Sequence, residues 1–341
     1  MEGWRPPADW PVITAIDAHT EGEPLRVIVG GYPRLEGSTI LERRLQARLN
    51  HDALRTALLW EPRGHADMYG CLITAPVTAS ADFGVLFLHN EGYSTMCGHG
   101  IIAVTKVALE AGLLPMQSPE TRVTIDTPAG LVVAFARIER ERVRSVRFRN
   151  IPSFVYMLDR KVHVPGLGLV RYDVAFGGAF YAYVRAADLG VTCTPDDLGE
   201  LIRKGRAIKR AVIQTTDINH PLEPDLGFIY GTIFIDEPQG KHAHSRNVCV
   251  FAEGQVDRSP TGTGISGRAA IHYRRGEIGL NESIVIESII GSSLIVCVKE
   301  ETAFGPFKAI IPEVEGRAYI TGRTEFCMDP DDPLSSGFIL R

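Results

Sequence analysis

Short apolar runs separated by turn-forming residues make up most of the chain. Most of these runs are rich in β-branched residues and bounded by Gly, Pro or Asp, which is typical of β-strands. The predicted strands are residues 25–29, 84–88, 122–125, 131–135, 143–148, 169–174, 179–184, 232–235, 248–251, 284–287, 294–298, 307–312 and 317–322. Apolar residues at helical spacing predict helices at 52–59, 98–111, 195–206 and 262–275. Because strands and helices do not alternate regularly, the pattern predicts a strand-dominated α+β protein.

Two of the predicted helices begin with related sequences. Cys97-Gly-His-Gly-Ile and Thr261-Gly-Thr-Gly-Ile share the pattern X-Gly-X-Gly-Ile and lie 164 residues apart (261 − 97), close to half of 341. Each helix reaches a glycine 15 residues after its first motif residue, Gly112 and Gly276, and glycine is the residue expected at a left-handed helix C-terminus. A weaker similarity pairs residues 17–22 with 173–178. The repetition favours two related halves with a site between them, although glycine-rich helix starts also recur by chance.

The strand pattern is interrupted once near the middle of the chain, at residues 158–166, where Asp, Lys, His and Pro occur together. We therefore predict a first half at 1–160, which carries the Cys97 helix, and a second half at 161–328, which carries the Thr261 helix. The final residues, 329–341, are expected to pack back onto the first half.

Composition narrows the class of protein. The net charge is −5 and Lys and Arg are scattered, so no basic surface for nucleic acid is expected. The longest apolar runs, such as 84–88 and 284–290, are too short to cross a bilayer. Residues 1–11 lack the apolar core of a signal peptide. We expect a cytoplasmic protein that acts on a small molecule and has no membrane partner.

The two helix starts are suited to binding an anion. A helix N-terminus presents unpaired N–H groups and the positive end of its dipole, and glycine lets a ligand approach closely. Each start is suited to a carboxylate, and two that face one another would hold it from both sides. A thiol at such a position, here Cys97, is expected to have a lowered pKa, in contrast to a buried core cysteine. Near it, His99 is either an ordinary hydrogen-bonded histidine or a substrate contact, and Asp257 either caps or pairs with a cationic nitrogen.

Two long motifs resemble the active-site signatures of the proline racemase family. These are Met96-Cys-Gly-His-Gly100 and Asp257-Arg-Ser-Pro-Thr-Gly-Thr-Gly264. Further blocks that match in order are residues 17–24, 61–65, 67–68 and 177–178, so that the resemblance covers essentially the whole chain. The family includes proline racemases, hydroxyproline epimerases and trans-3-hydroxy-L-proline dehydratases.

The resemblance implies a fold like that of diaminopimelate epimerase. In this fold two pseudo-symmetric domains each wrap strands around a central helix, and the active site lies in the cleft between them. No cofactor and no metal is implied. A carboxylate would be held by Gly98, His99, Gly262 and Thr263, while Asp257 and His99 would contact the ring nitrogen of an imino acid substrate. By family analogy alone we expect a homodimer.

The chain departs from the racemase pattern at Thr261, where racemases and epimerases of the family carry a second cysteine. Because a hydroxyl is a poor proton donor to carbon, only Cys97 remains as a base, and removal of the α-proton by one base leads to elimination. The Cys/Thr pair resembles the dehydratases. The expected reaction is syn elimination of water from trans-3-hydroxy-L-proline, giving Δ1-pyrroline-2-carboxylate, with Cys97 returning its proton to the leaving hydroxide. A 4-hydroxyproline 2-epimerase or a proline racemase is the alternative.

Three other interpretations compete. Residues 262–267 fit the dinucleotide fingerprint GxGxxG, but Asp-Arg-Ser-Pro precedes them where that fingerprint needs a strand. Two histidines, His242 and His244, and the pair His65 and Asp67 have spacings that suit a metal, but the former are expected in an exposed loop. None of the six cysteines forms a CxxC pair, and most of them, such as Cys249 and Cys297 between valines, are expected to be small buried core residues, in contrast to Cys97. A non-catalytic binding protein would retain the helix starts without needing a reactive thiol.

Overall fold

The computed structural model describes residues 3–340. The first part of the chain forms β1 (Val12–Thr20), β2 (Glu23–Gly30), α1 (Ile40–Asn50), α2 (Asp52–Leu59), β3 (Tyr69–Thr74), β4 (Phe83–His89), β5 (Gly92–Ser94), α3 (Gly98–Glu110), β6 (Glu120–Thr127), β7 (Gly130–Glu139) and β8 (Arg142–Arg149). The second part forms β9 (Ser153–Val164), β10 (Gly168–Phe176), β11 (Phe180–Arg185), α4 (Leu198–Thr215), β12 (Ile229–Asp236), β13 (Ser245–Phe251), β14 (Gln255–Val256), α5 (Gly262–Arg275), β15 (Ser283–Glu287), β16 (Ser293–Phe304), β17 (Phe307–Gly316) and β18 (Ala318–Cys327). Short 3₁₀ helices span Ala187–Leu189, Pro195–Asp197 and Pro224–Leu226.

The order of strand pairing occurs twice. In the first part β1–β2 is antiparallel, β2–β3 parallel, β3–β4 and β4–β5 antiparallel, β4–β6 parallel, and β6–β7 and β7–β8 antiparallel. The strands from β10 to β17 repeat this series in the same order. Each series gains one more antiparallel strand, β18 beside β1 and β9 beside β10. The repeat seen in two short motifs therefore extends through the whole fold.

The helices α3 and α5 occupy equivalent places, each between a short hairpin strand and the strand that follows it. Every residue from Gly98 to Leu109 of α3 is buried, and most of them are apolar, as expected for a helix in a protein core. The helix packs against β1, β2, β7, β8 and β18. Residues Ile265 and Ala269 of α5 share its apolar core. A second core, around Phe154, Phe176 and Phe180, lies under β9 to β12.

The sequence-based element predictions are confirmed in type. Each predicted strand overlaps an observed one, and nine of the thirteen starts agree to within one residue, whereas β2, β6, β12 and β13 begin two or three residues before their predicted starts. Helices α2 and α5 have the predicted bounds, and α3 ends one residue early. The predicted caps are confirmed, because Gly112 and Gly276 both have left-handed φ angles, 77° and 71°. The helix predicted at 195–206 was placed too early: residues 195–197 are 3₁₀, and α4 continues to 215.

Several elements were not predicted. Among the described residues these are α1, β1, β3, β5, β9 and β14. A local signal for α1 was present, since Thr39 and Glu42 form a capping box at its start. The short strands β5 and β14 carry no such signal, because two or three residues show no periodicity.

The ends of the chain are tied to the first half of the fold. From the first half, Arg63 donates to the carbonyl of Ser335 and pairs with Asp332 at 3.3 Å, and Glu61 bridges to Phe338. Strand β9 runs through residue 160, and β18 pairs with β1. The division at 160 and 328 stays a prediction. No helix within residues 3–340 is long and apolar enough to cross a membrane.

Candidate functional site

The two glycine-rich helix starts meet directly. At Gly98, the first residue of α3, an added Cβ would lie 2.8 Å from the Cα of Gly262, the first residue of α5. The reverse substitution would place a Cβ 2.9 Å from the Cα of Gly98. Because real Cβ atoms do not approach backbone this closely, only glycine at both positions allows the contact. Two helix N-termini, each with unpaired N–H groups, are thereby brought to one point.

One cavity of about 1170 Å³ lies at this point. All seven predicted site residues line it, namely Cys97, Gly98, His99, Asp257, Thr261, Gly262 and Thr263. Its wall also contains residues that the sequence interpretation gave no role, among them Glu23, Tyr69, Ser94, Tyr230 and Cys249. Residues from both signatures, distant in sequence, therefore line one cavity.

The Cys97 thiol is the N-cap of α3. Its Sγ accepts the N–H of Gly100 at 3.3 Å and lies 3.3 Å from Nδ1 of His99. The side chain is only 5% exposed. Burial raises the pKa of this thiol well above its usual value, the Gly100 N–H opposes the rise, and the negative charge of Asp257 adds to it. The expected lowering of this pKa is therefore wrong, because desolvation outweighs the effect of the helix terminus.

Thr261, the N-cap of α5, has an unusual backbone. Its φ of 67° and ψ of 95° are disfavoured for a β-branched residue. The loop before it is braced, since the Thr261 N–H donates to Oγ of Ser259 at 3.1 Å and the Ser259 N–H donates to Asp257 at 2.8 Å. Strain of this kind persists where the surroundings hold it, often at functional sites.

The Thr261 hydroxyl is available to a ligand. Its Oγ1 is buried and has no nitrogen or oxygen hydrogen-bond partner among residues 3–340. The thiol of Cys249 lies beside it. Burial raises the pKa of Cys249 well above its usual value, and the contact with Thr261 opposes part of that rise. Cys249 is fully buried, as predicted, but it also lines the cavity.

The remaining side chains at the helix starts are held by specific contacts. The His99 carbonyl accepts from Thr20 Oγ1 at 2.7 Å, and its ring packs edge-on to Tyr69 with centroids 4.8 Å apart. Burial lowers the pKa of His99, partly offset by Asp257, which favours a neutral imidazole. Thr263 Oγ1 and the Tyr181 hydroxyl are 2.7 Å apart. The hydroxyl of Tyr69 hydrogen-bonds to Ser94.

A second acid, Glu23, lies close to Asp257. It is 1% exposed at the start of β2, and its Oε2 accepts the N–H of Arg258 at 2.7 Å. Burial and the neighbouring Asp257 raise the pKa of Glu23 well above its usual value. Glu23 belongs to the family block at residues 17–24, so a local sequence signal could have identified it as a site residue. Tyr69 and Tyr230 come from strands with no motif, so only the fold could identify them.

The competing dinucleotide and metal-site interpretations concern other features of the structure. Residues 262–267 start a helix after the loop 257–260 and not directly after a strand, and the space beside Gly262 is filled by Gly98. Both His242 and His244 are exposed, as predicted. Asp67 pairs with Arg258 at 2.9 Å. Over residues 3–340, no group of three or more His, Cys, Asp and Glu side chains is arranged to hold a metal ion.

Comparison with known proteins places the chain among enzymes of one family. The family model for proline racemase matches residues 15–339. A trans-3-hydroxy-L-proline dehydratase from Colwellia psychrerythraea is 48% identical over 344 residues, which cover 100% of this chain and 97% of that protein. A 3-hydroxyproline 2-epimerase from Burkholderia multivorans is 44% identical over 329 residues, which cover 96% of this chain and 98% of that protein.

A solved structure has the same overall fold. The hydroxyproline epimerase from Agrobacterium vitis, with bound trans-4-hydroxy-L-proline, is 33% identical and superposes with a TM-score of 0.90 over 97% of this chain and 96% of that one. The similarity in sequence and in structure extends from the first strand to the last. The chain belongs to the proline racemase family.

Proposed function

We propose that this protein is a trans-3-hydroxy-L-proline dehydratase that forms Δ1-pyrroline-2-carboxylate without a cofactor. The observation that carries the proposal is the unequal pair of N-caps at the meeting helix starts, a thiol at Cys97 and a hydroxyl at Thr261. One base, with a hydroxyl in place of a thiol at the second N-cap, favours elimination over inversion. The relative from Colwellia psychrerythraea carries the same activity in its name.

The substrate carboxylate is assigned to the two helix starts. Their N–H groups, at Gly98 and His99 on one side and Gly262 and Thr263 on the other, would hold both oxygens. The negative charge that develops at the α-carbon is stabilised by the same donors. Asp257, together with His99, is assigned to the ring nitrogen. The cavity that contains all these residues supports the assignment.

Substrate binding would oppose the rise in the pKa of Cys97. A ring nitrogen that arrives protonated brings a positive charge into the cavity, and a nearby positive charge favours the thiolate. The base would therefore form when the substrate is bound. Before binding, burial favours the protonated thiol.

The finer organisation of the fold is part of the proposal. We take α3 and α5 as the central helices of two pseudo-symmetric domains, with the active site in the cleft between them. The doubled order of strand pairing and the burial of α3 support this division. A cytoplasmic location and a homodimer remain predictions.

An epimerase is the second candidate. It is favoured by the relative from Burkholderia multivorans, which has that activity in its name at 44% identity. It requires a proton donor on the face opposite Cys97. We assign Thr261 to that position, and its hydroxyl does not ionise near neutral pH.

A paired assay separates the two candidates. Purified, metal-stripped protein is given trans-3-hydroxy-L-proline and assayed for pyrroline, and it is given trans-4-hydroxy-L-proline and L-proline and followed by polarimetry. Pyrroline from the first substrate, with no change of rotation in the others, is the expected result. Epimerisation without pyrroline would contradict the proposal.

A further inference from the structure

The turn between β1 and β2 contacts both helix starts. Thr20 holds the carbonyl of His99 in the first turn of α3, and Glu23 holds the amide of Arg258 in the loop before α5. Between them, Glu21 accepts from Arg317 and from Ser292. This turn therefore links the two signatures. Glu23 is the acidic residue of the turn that lines the cavity.

The surroundings of Glu23 favour its protonated form. The side chain is almost completely buried and lies near Asp257, and both effects raise its pKa. Its Oε2 is fixed by the Arg258 N–H at 2.7 Å. A neutral, fixed carboxylic acid in an active-site wall is a suitable general acid, because its acidity lies closer to neutral pH than that of a hydroxyl.

The proposed reaction needs such an acid. Hydroxide leaves carbon poorly unless it is protonated as it departs. The other cavity hydroxyls are weak acids, because burial raises the pKa of Tyr69 and of Tyr230 above the ordinary tyrosine value. To act as the base, Cys97 must first lose its thiol proton, so it is not a proton donor when the reaction starts. Glu23 is therefore a better proton donor to the leaving hydroxyl than Tyr69, Tyr230 or Cys97.

We propose that Glu23 is the general acid that protonates the departing 3-hydroxyl, while Cys97 acts only as the base. This inference rests on the proposed dehydratase function. In trans-3-hydroxy-L-proline the α-hydrogen and the hydroxyl lie on the same ring face. Glu23, at the start of β2, and Cys97, before α3, line the same cavity, so that both would face one bound substrate.

The proton balance closes within the site. The Cys97 thiolate takes the α-proton, and the C–H electron pair becomes the C2=C3 bond. The C–O pair leaves with oxygen, which takes the proton of Glu23 and departs as water. The enamine then becomes the imine by moving a proton from nitrogen to C3. Transfer of one proton from the Cys97 thiol to the Glu23 carboxylate, through solvent, restores the starting state.

The test uses Glu23→Gln, a neutral side chain of the same size that still accepts from the Arg258 N–H. The protein is incubated with trans-3-hydroxy-L-proline in D₂O, and NMR follows both loss of the α-hydrogen signal and formation of pyrroline. We expect pyrroline formation to fall on the order of 10²–10⁴-fold. Exchange of the α-hydrogen should persist in the recovered substrate, because Cys97 is intact. Glu23→Asp should restore part of the elimination.

Glu21→Gln is the matched control, because Glu21 lies two residues away, is also buried and is bonded to Arg317 outside the cavity wall. The Glu21→Gln protein should form pyrroline at nearly the wild-type rate. Elimination by Glu23→Gln within threefold of wild type would overturn the assignment of Glu23. So would a parallel loss of exchange and elimination in a folded variant, which would make Glu23 a positioning residue. A wild-type protein that forms no pyrroline overturns the proposed function instead.

Discussion

The contact between the two helix starts makes Gly98→Ala a severe change. The added methyl would lie 2.8 Å from the Cα of Gly262 and 3.3 Å from Cζ of Phe148. Ordinary carbon–carbon contacts are about 3.5–4.0 Å, so one helix start must move by roughly 1 Å. Overpacking of this kind costs about 1–3 kcal/mol of stability. Misplacement of reacting groups by about 1 Å costs on the order of 10²-fold in rate.

The assay compares kcat/KM for pyrroline formation with the free energy of unfolding from urea titration. We expect Gly98→Ala to remain folded and to lose far more activity than stability. Gly199→Ala is the control, because Gly199 is exposed in α4 with no atom within 4 Å of an added Cβ; it should keep full activity and gain up to about 1 kcal/mol. A Gly98→Ala protein with more than half of the wild-type kcat/KM would refute the idea that the two helix starts must meet.

Three further predictions concern the second N-cap, the response to acid and the core. Thr261→Cys should create or raise epimerisation of trans-4-hydroxy-L-proline, measured by polarimetry, and no gain would count against the assigned position of Thr261. Burial lowers the pKa of His89 to about 3, so the unfolded state binds more protons between pH 6.5 and 3, and stability should fall as the pH falls. His89→Gln should flatten that slope by up to about 1.4 kcal/mol per pH unit in urea titrations; equal slopes would contradict it. Phe154→Ala, which empties the centre of a cluster of stacked rings, should cost about 3–5 kcal/mol of unfolding free energy, and a loss below 1 kcal/mol would contradict the packing.

The repeated helix starts could be predicted because their signal is local. The pattern X-Gly-X-Gly-Ile and the cap glycines Gly112 and Gly276 are set by backbone requirements that only a few residue types meet. The same local logic gave the element types over most of the chain. Strands of two or three residues, such as β5 and β14, escaped because they have no period to detect.

What the sequence did not give depends on contacts between distant residues. Glu23 is 235 positions from the amide it binds, and the sequence around Glu23 does not indicate that partner. The pKa of Cys97 was predicted in the wrong direction because the helix terminus is visible in the sequence and the depth of burial is not. Likewise Cys249, between two valines, has the sequence context of core filler, and only the fold places it beside Thr261.

The central claim, that the Cys97 thiol is the only base of a dehydratase, is tested most directly by Cys97→Ala. Initial rates of pyrroline formation from trans-3-hydroxy-L-proline are measured beside Cys327→Ala, which removes a thiol from β18 outside the cavity wall. The account predicts that Cys97→Ala loses on the order of 10²–10⁴-fold in rate and also loses α-hydrogen exchange in D₂O, while Cys327→Ala keeps both. A folded Cys97→Ala protein that forms pyrroline at the wild-type rate would contradict it.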